Sequence, residues 1–147
     1  MARLPASVLF ACTSNAVRSP MAEAILRHFH GRRIFVDSVG VRGGEPDLFV
    51  AEVMAEVGID LSRHRAKEFD DLADGSFDVV VTLSPEAQHR AVEMTRTMAC
   101  DVEYWPTLDP TILDGSREAR LEAYRQVRDQ LLRRILQRFP LDPTPSG

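Results

Sequence analysis

The feature that constrains the fold of this chain most is a short apolar run that leads almost directly into a helix start. Residues 7–11 are too few for a helix but long enough for a buried β-strand. Ser19 then offers a hydroxyl that caps a helix, and Pro20 suits the first helical position. A strand, a loop and a helix therefore follow one another directly, an order typical of α/β folds.

The loop carries two residues whose side chains suit oxyanion chemistry. Cys12 stands where the strand ends and Arg18 stands where the helix begins. Unpaired backbone N–H groups in such a turn, with the positive end of the helix dipole, favour a bound anion. The same field lowers the pKa of a thiol, and a guanidinium grips two phosphoryl oxygens. The loop is therefore predicted to hold a thiolate beside an oxyanion, which is a site for phosphoryl transfer to sulfur.

Apolar patterns along the rest of the chain alternate between strand and helix. Further strands are predicted at 34–36, 77–83 and 101–105, with the last at an edge of the sheet. Cap and proline signals predict helices that begin near residues 19, 46, 84 and 116. This alternation predicts one α/β domain over 1–147, a four-stranded parallel sheet with helices on both faces, flavodoxin-like or Rossmann-like. Residues 141–147 are predicted to form a disordered tail.

Composition narrows the functions that are expected. A net charge of −4 argues against nucleic-acid binding. No run approaches the roughly 20 apolar residues that span a bilayer, so no membrane association is expected. The N-terminus runs straight into the first strand, so no signal peptide is expected, and two separate free thiols favour a cytoplasmic location. Without a CxxC pattern or clustered histidines, no metal site is expected.

Residues 8–24, VLFACTSNAVRSPMAEA, resemble the signature of the low-molecular-weight protein tyrosine phosphatases. Thioredoxin-coupled arsenate reductases share that fold and loop. The likeness continues, in the family's order, through residues 37–40, 58–61, 64–67, 77–81 and 109–110. The resemblance implies a fold of the phosphotyrosine phosphatase I type and the hydrolysis of phosphotyrosine in proteins through a cysteinyl-phosphate. The implied partners are a phosphorylated protein or a small phosphomonoester, with phosphate and arsenate as oxyanion ligands and no cofactor.

The resemblance also implies roles for the loop residues and for the side chains behind them. Cys12 is implied to be the nucleophile and Arg18 the cation that binds the phosphoryl group. The phosphate-binding residues are implied to be Thr13, Ser14, Asn15, Ala16, Val17, Arg18 and Ser19. Asn15, Ser38 and His64 are implied to support the loop through hydrogen bonds. Asn15 also tolerates a left-handed backbone conformation better than most residues.

A second piece of chemistry is predicted after the fourth strand. A cysteine-based phosphatase needs a general acid beside the leaving oxygen. Asp109 follows that strand in a loop, and the carboxyl ends of parallel strands share one rim with the Cys12 loop. Pro110 stiffens the backbone there, and the resemblance implies the same residue as the acid. Asp114 is the alternative acid.

Three positions depart from the family pattern. Ser14 replaces a usual glycine, which costs about 1–2 kcal/mol if the backbone there is left-handed. Val17 replaces a second cysteine that shields the nucleophile in many members, so peroxide is expected to oxidise the unprotected thiol. Residues 111–112 replace a tyrosine pair that lines the substrate cleft, which leaves Tyr104 and Trp105 as the nearby aromatic residues.

Two alternative functions stay open. One is an arsenate reductase, which relays oxidation through two further cysteines; Ser84 stands near one such position, and Cys100 is the other thiol. Cys100 is expected to be a buried residue. The other alternative is a non-catalytic phosphate-binding regulatory module, suggested by Ser14 and the missing tyrosine pair. The cationic residues within 63–67 are expected to form a solvated basic patch.

Overall fold

The computed structural model describes residues 4–72 and 76–141. Four parallel strands form one sheet in the order β2-β1-β3-β4, as predicted, with β4 at an edge. The strands are β1 (Ser7–Ser14), β2 (Phe35–Arg42), β3 (Val79–Thr82) and β4 (Asp101–Tyr104). The helices are α1 (Arg18–His30), α2 (Leu48–Ala55), α3 (Pro85–Met94) and α4 (Arg117–Arg138), with short 3-10 turns at Phe69–Asp71 and Pro110–Ile112.

Helices cover both faces of the sheet, because each central strand is apolar on both sides. Val8 and Phe10 of β1 pack into the core beneath α1, α2 and α4. Leu9 and Ala11 point the other way and pack with α3. This confirms the predicted single-domain α/β fold. Cys12 follows Phe10 by two residues, so its side chain faces the same side of the sheet as Val8 and Phe10, the side that carries α1.

Several element boundaries differ from the sequence predictions. Helix α1 begins at Arg18, with Val17 as its N-cap and no side-chain cap, so the predicted capping role of Ser19 is wrong. Strand β2 continues to Arg42 instead of ending in a loop, because it pairs with β1 along its whole length. Helix α2 begins at Leu48, where the Asp47 side chain accepts a hydrogen bond from the helix, rather than at Pro46.

Other boundaries agree with the predictions. Ser84 and Ser116 cap α3 and α4 through their hydroxyls, as expected from the sequence. The helical spacing of apolar residues in α4 buries Leu121, Tyr124, Val127, Leu131, Ile135 and Phe139. Within the described residues, no helix has the length and apolar character that crossing a bilayer requires. The predicted tail falls mostly on 142–147, which lie outside the described residues.

Candidate active site

Cys12 lies at the carboxyl end of a central strand, where β1 passes into the loop that precedes α1. Its side chain is 1% exposed, at the base of that loop. Gly40 pairs with Cys12 across the sheet. A side-chain carbon at position 40 would lie 2.5 Å from the backbone nitrogen of Asn15, so glycine permits the loop to fold back against β2.

Ser19, the second residue of α1, contacts the Cys12 sulfur through both its hydroxyl group and its backbone amide. The Ser19 Oγ lies 2.9 Å from Cys12 Sγ, and the Ser19 amide donates to the same sulfur at 3.4 Å. The thiol in turn donates to the Ser14 carbonyl oxygen at 2.8 Å. Burial raises the pKa of the Cys12 thiol, while the Ser19 donors and the Arg18 charge act in the opposite direction. The predicted lowering of this pKa is therefore wrong, because loss of hydration outweighs the local donors.

The loop amides are arranged differently from the predicted anion nest. The Asn15 amide donates to the Arg42 carbonyl at 3.1 Å, and the Ala16 amide donates to the Ser14 carbonyl at 2.8 Å. Among the described residues, only glycines have positive φ. The expected left-handed backbone at Asn15 is therefore wrong, and Ser14 carries no strain of that kind. Two of the predicted phosphate-binding amides are occupied by carbonyl groups.

The Asn15 side chain holds the loop to the rest of the protein. Its Nδ2 donates to Ser19 Oγ at 2.9 Å and to Ser38 Oγ at 3.0 Å. Its Oδ1 accepts from the Lys67 amide at 3.0 Å, and its carbonyl oxygen lies 3.0 Å from His64 Nε2. The structure thus brings together Asn15, Ser38 and His64, the three residues predicted to support the loop. Each polar atom of the Asn15 side chain has a partner.

Sequence reasoning missed one member of this network. The Ser38 hydroxyl donates to Glu23 Oε1 at 2.5 Å, and Glu23 is 7% exposed. Glu23 lies one helical turn after Ser19, on the same face of α1. That four-residue spacing is the sequence signal that could have identified it. The buried Glu23 carboxylate also pairs with Arg27 of α1. A hydrogen-bonded chain therefore runs from a buried carboxylate to the sulfur.

Arg18 is buried and is held by backbone oxygens from two other loops. Its Nη1 donates to the Thr107 carbonyl at 2.8 Å and to the Leu83 carbonyl at 3.4 Å. Its Nη2 lies 3.9 Å from Asp109 Oδ2. The guanidinium therefore connects the Cys12 loop with the loops that follow β3 and β4.

Asp109 lies across the cleft from the Cys12 loop, at the start of a 3-10 turn. Its Oδ1 accepts hydrogen bonds from the Thr111 amide at 3.0 Å and the Thr111 hydroxyl at 2.7 Å. Its side chain is 35% exposed, which leaves Oδ2 open to the cleft and to Arg18. Asp114, the alternative acid, is exposed and is not among the residues that line this cleft.

The cleft above the loop has a volume of about 330 Å³ and is lined by polar and small side chains. Its residues are Thr13, Ser14, Ala16, Val17, Arg18, Arg42, Gly44, Glu45, Pro46, Asp47, Asp109 and Thr111. The aromatic residues expected nearby do not reach it. Trp105 is buried and packs against Phe10, and Tyr104 is not part of the lining. The cleft is therefore narrow and polar, without an aromatic wall.

Cys100 lies at the opposite end of the sheet from Cys12. Asp101 aligns with Val79, and Val79 aligns with Val8, so Cys100 precedes the strands at their amino ends. At about 3.3 Å per residue, the two thiols are separated by roughly 15 Å along the strands alone. Cys100 is half-buried rather than buried as expected, and burial raises the pKa of its thiol. A direct disulfide requires Cα atoms within about 7 Å, so this pair cannot form one.

No ligand cluster for a metal was found near the loop. Among the described residues, no group of three or more His, Cys, Asp or Glu side chains has an arrangement that suits a metal ion. The charged side chains that act on the Cys12 thiol are Arg18 and Asp109.

Comparison with known proteins agrees with this geometry. Residues 7–139 match the family described as low molecular weight phosphotyrosine protein phosphatase. An arsenate reductase of Bacillus subtilis is 30% identical over 87% of this chain and 91% of its own. The probable low molecular weight protein-tyrosine-phosphatase EpsP of Ralstonia solanacearum is 35% identical over 59% of this chain and 61% of its own.

Among solved structures, the tyrosine phosphatase AmsI of Erwinia amylovora superposes with a TM-score of 0.74. It is 19% identical, and the match covers 92% of this chain and 91% of that chain, which establishes a shared fold. The family match extends over nearly all of the described residues, from β1 to the end of α4. The chain therefore belongs to the low molecular weight phosphotyrosine protein phosphatase family, a family of enzymes.

Proposed function

We propose that this protein is a phosphomonoester hydrolase of the protein tyrosine phosphatase type, acting through a cysteinyl-phosphate. The observation that carries the proposal is the Arg18 side chain, which starts beside the Cys12 loop and reaches to within 3.9 Å of Asp109 Oδ2. The guanidinium of Arg18 thus faces the proposed acid, and its charge also acts on the thiol of the proposed nucleophile. That arrangement suits a phosphoryl group transferred from an oxygen to the sulfur.

In the first step, the Cys12 thiol loses its proton to water and the thiolate attacks phosphorus in line. The S–P bond forms as the bond from phosphorus to the leaving oxygen breaks. Arg18 and the amides of the loop bind the other phosphoryl oxygens, most strongly as charge develops in the transition state. Asp109 donates a proton from Oδ2 to the leaving oxygen, since Thr111 occupies its Oδ1.

In the second step, Asp109 takes a proton from water, and the resulting hydroxide equivalent attacks the phosphorus of the cysteinyl-phosphate. The P–S bond breaks, and phosphate leaves with the electron pair returned to sulfur. The Ser19 hydroxyl, 2.9 Å from Cys12 Sγ, donates to the thiolate as it departs. Donation to a charged sulfur is stronger than donation to a neutral one, so Ser19 assists this step.

Oxyanion binding requires one rearrangement of the loop. The Ser14 carbonyl accepts from the thiol, and the Asn15 amide donates to Arg42 instead of facing the cleft. A bound dianion repels that carbonyl and attracts that amide. We therefore expect the peptide between Ser14 and Asn15 to turn when phosphate binds, since the side chain of Asn15 holds the residue itself in place.

The lining of the cleft limits the expected substrates. Its volume of about 330 Å³ and its lack of aromatic side chains give a phenyl ring little to stack against. Arg42 and Glu45, both exposed on the rim, offer charges to a polar leaving group. We therefore expect a weaker preference for phosphotyrosine over phosphoserine than a cleft with a tyrosine pair would give.

The proposed function is tested by the turnover of p-nitrophenyl phosphate, with the Cys12→Ser variant as a matched control. We expect the wild-type protein to release phosphate and Cys12→Ser to bind phosphate without turnover. Acid quenching during turnover should trap phosphate on the peptide that contains Cys12. Phosphate binding by the wild type without any turnover would support the non-catalytic regulatory module instead.

Arsenate reduction is the second candidate, because a relative 30% identical over most of the chain is an arsenate reductase. The position of Cys100 argues against an internal relay from Cys12, as the two thiols lie at opposite ends of the sheet. An external thiol is then needed to reduce the enzyme. An assay with arsenate and either thioredoxin or glutathione with glutaredoxin separates the two functions. Faster arsenate reduction than ester hydrolysis would overturn the phosphatase proposal.

A further inference from the structure

We propose that a second cavity, separate from the catalytic cleft, binds a small organic anion that carries phosphate or carboxylate groups on an apolar body. This cavity, the basic pocket, has a volume of about 590 Å³ and lies between α1, Asp37 of β2 and residues 58–67. It shares no lining residue with the catalytic cleft. Its size is within the usual range for small-molecule sites, which is about 300–1,000 Å³.

Two exposed arginines give the basic pocket its selectivity for anions. Arg63 and Arg65 are exposed, and within the described residues neither forms a salt bridge or a side-chain hydrogen bond, although the charge of Arg63 acts on the Asp60 carboxyl group. Two exposed guanidinium groups one residue apart, at the mouth of a concave site, offer planar forks that match phosphate and carboxylate oxygens. They are therefore the groups that a ligand's anionic end would contact.

The other charges that line the pocket are largely neutralised. Arg27 pairs with Glu23, and Lys67 pairs with Asp37. The remaining carboxylate, Asp60, accepts a hydrogen bond from the Ser62 amide at 2.8 Å. The pocket thus has four permanent cations against three carboxylates. Because Arg63 offsets Asp60 in part, the excess of one positive charge lies at Arg65 and the exposed side of Arg63.

Apolar side chains provide the rest of the wall. Ile59 is buried beside the pocket and packs against the core, and Leu61 is partly buried against the same core. An inorganic ion would leave this surface uncovered, whereas a ligand with an apolar body covers it and gains from its burial. The combination of two guanidinium groups and an apolar wall therefore favours an organic anion.

The basic pocket is connected to the Cys12 loop by direct hydrogen bonds. His64, which lines the pocket, contacts the Asn15 carbonyl at 3.0 Å through Nε2. The Lys67 amide donates to Asn15 Oδ1 at 3.0 Å, and the Lys67 carbonyl accepts from the Gly40 amide at 2.8 Å. A ligand that orders residues 63–67 therefore also restrains Asn15 and the loop beside the sulfur.

Binding is tested by calorimetric titration of the Arg18→Met variant, which removes the loop's phosphoryl-binding cation and keeps most of its buried stem. The probes are adenosine monophosphate, citrate and uncharged adenosine. We expect both anions to bind with one site and adenosine to bind at least tenfold more weakly. Tighter binding of adenosine monophosphate than of citrate assigns the phosphate ester as the ligand class, and the reverse assigns the polycarboxylate.

The location of the anion site is tested by comparing a double substitution in the basic pocket with a double substitution outside it. Arg63→Gln with Arg65→Gln should weaken anion binding at least tenfold. Arg32→Gln with Arg33→Gln, the same loss of charge at another exposed position, should leave the affinity within twofold. Equal weakening by both pairs, or no binding of either anion to Arg18→Met, would overturn the proposal.

The connection to the loop is tested by the rate at which iodoacetamide alkylates Cys12, a readout that does not depend on phosphatase activity. We expect the bound anion to change this rate at least twofold in Arg18→Met, which lacks the phosphoryl-binding cation of the loop, and not in Arg18→Met that also carries Arg63→Gln and Arg65→Gln. An unchanged rate at saturating anion would overturn the connection. Because neither measurement requires turnover, failure of the phosphatase proposal and failure of this one are distinguished.

Discussion

The two halves of the candidate active site are held in very different ways. The half that contains Cys12 is buried, and the Asn15 side chain joins it to α1, β2 and the segment around Lys67. The half that contains Asp109 is partly exposed, and the Asp109 carboxylate is held by Thr111 and by a long contact to Arg18. The proposed nucleophile is thus held by the fold, whereas the proposed acid is held mainly by a residue two positions along the chain.

This difference matches the task of each half. A nucleophile gains from being positioned in advance, since reorganisation during the reaction costs rate. An acid that meets leaving groups of different shapes gains from an open position with one free oxygen. The loop half should therefore affect both stability and catalysis, whereas the acid half should affect catalysis alone.

Loss of the nucleophile or of the guanidinium should have the largest effect. We expect Cys12→Ser to abolish turnover, and Arg18→Ala to reduce it nearly as far, because no other side chain in the cleft provides a buried guanidinium. The measurement is the rate of p-nitrophenyl phosphate hydrolysis, with folding checked by circular dichroism. Residual activity near that of the wild type in either folded variant would contradict the assignment.

Removal of the acid should have the next largest effect. We expect Asp109→Asn to slow hydrolysis by about 10²–10⁴-fold for phenyl phosphates with poor leaving groups, and much less for good ones. The loss is smaller for good leaving groups because a stable phenolate can depart without first being protonated. The measurement is kcat across a series of substituted phenyl phosphates. An equal loss for all leaving groups would refute the role of Asp109 as an acid.

Asn15→Ala and Asp109→Ala should differ in how much they destabilise the protein, since each changes one half of the site. We expect Asn15→Ala to lower the free energy of unfolding by about 2–3 kcal/mol, because Ser38 and the Lys67 amide lose buried partners. Asp109→Ala should change it by less than about 1 kcal/mol, since its carboxylate is partly exposed. Urea denaturation of both variants measures this. Similar losses for the two variants would contradict the contrast between the halves.

The pH dependence of Cys12 alkylation should show the smallest effect. Burial raises the pKa of this thiol, and the Ser19 hydroxyl opposes that rise. Alkylation should therefore increase with pH through a midpoint above that of an ordinary thiol, and Ser19→Ala should move the midpoint higher still. Ser116→Ala, which removes a helix cap far from the sulfur in sequence, is the control. A midpoint below that of free cysteine would contradict the dominant effect of burial.

The sequence was sufficient to predict the fold and the elements that carry the candidate site. The position of Cys12 at a strand end follows from a local pattern of apolar residues, and the four-stranded parallel sheet follows from its repetition. Asn15, Ser38 and His64 meet as the family resemblance implied. The fold follows from the order of elements along the chain, whereas the proximity of Ser38 and His64 to Asn15 was implied only by the family resemblance.

The failures depend on three-dimensional detail that no local pattern contains. Burial of the sulfur, which reverses the expected direction of its pKa, results from packing of α1, α2 and α4 on one face of the sheet. The direction of the Asn15 amide depends on Arg42, which sequence reasoning placed in a loop rather than in β2. Glu23 was missed because acidic residues in the first turns of a helix are usually read as exposed.

The opposite placement of the two thiols has a consequence for the working life of the protein. A sulfenic acid formed on Cys12 finds no second thiol of its own chain within bonding distance, because Cys100, the other cysteine of the sequence, lies beyond the far ends of the strands. Recovery must then come from reductants in the surrounding medium. How long each molecule remains active under oxidative stress would thus be governed by the supply of those small thiols, rather than by anything built into the fold.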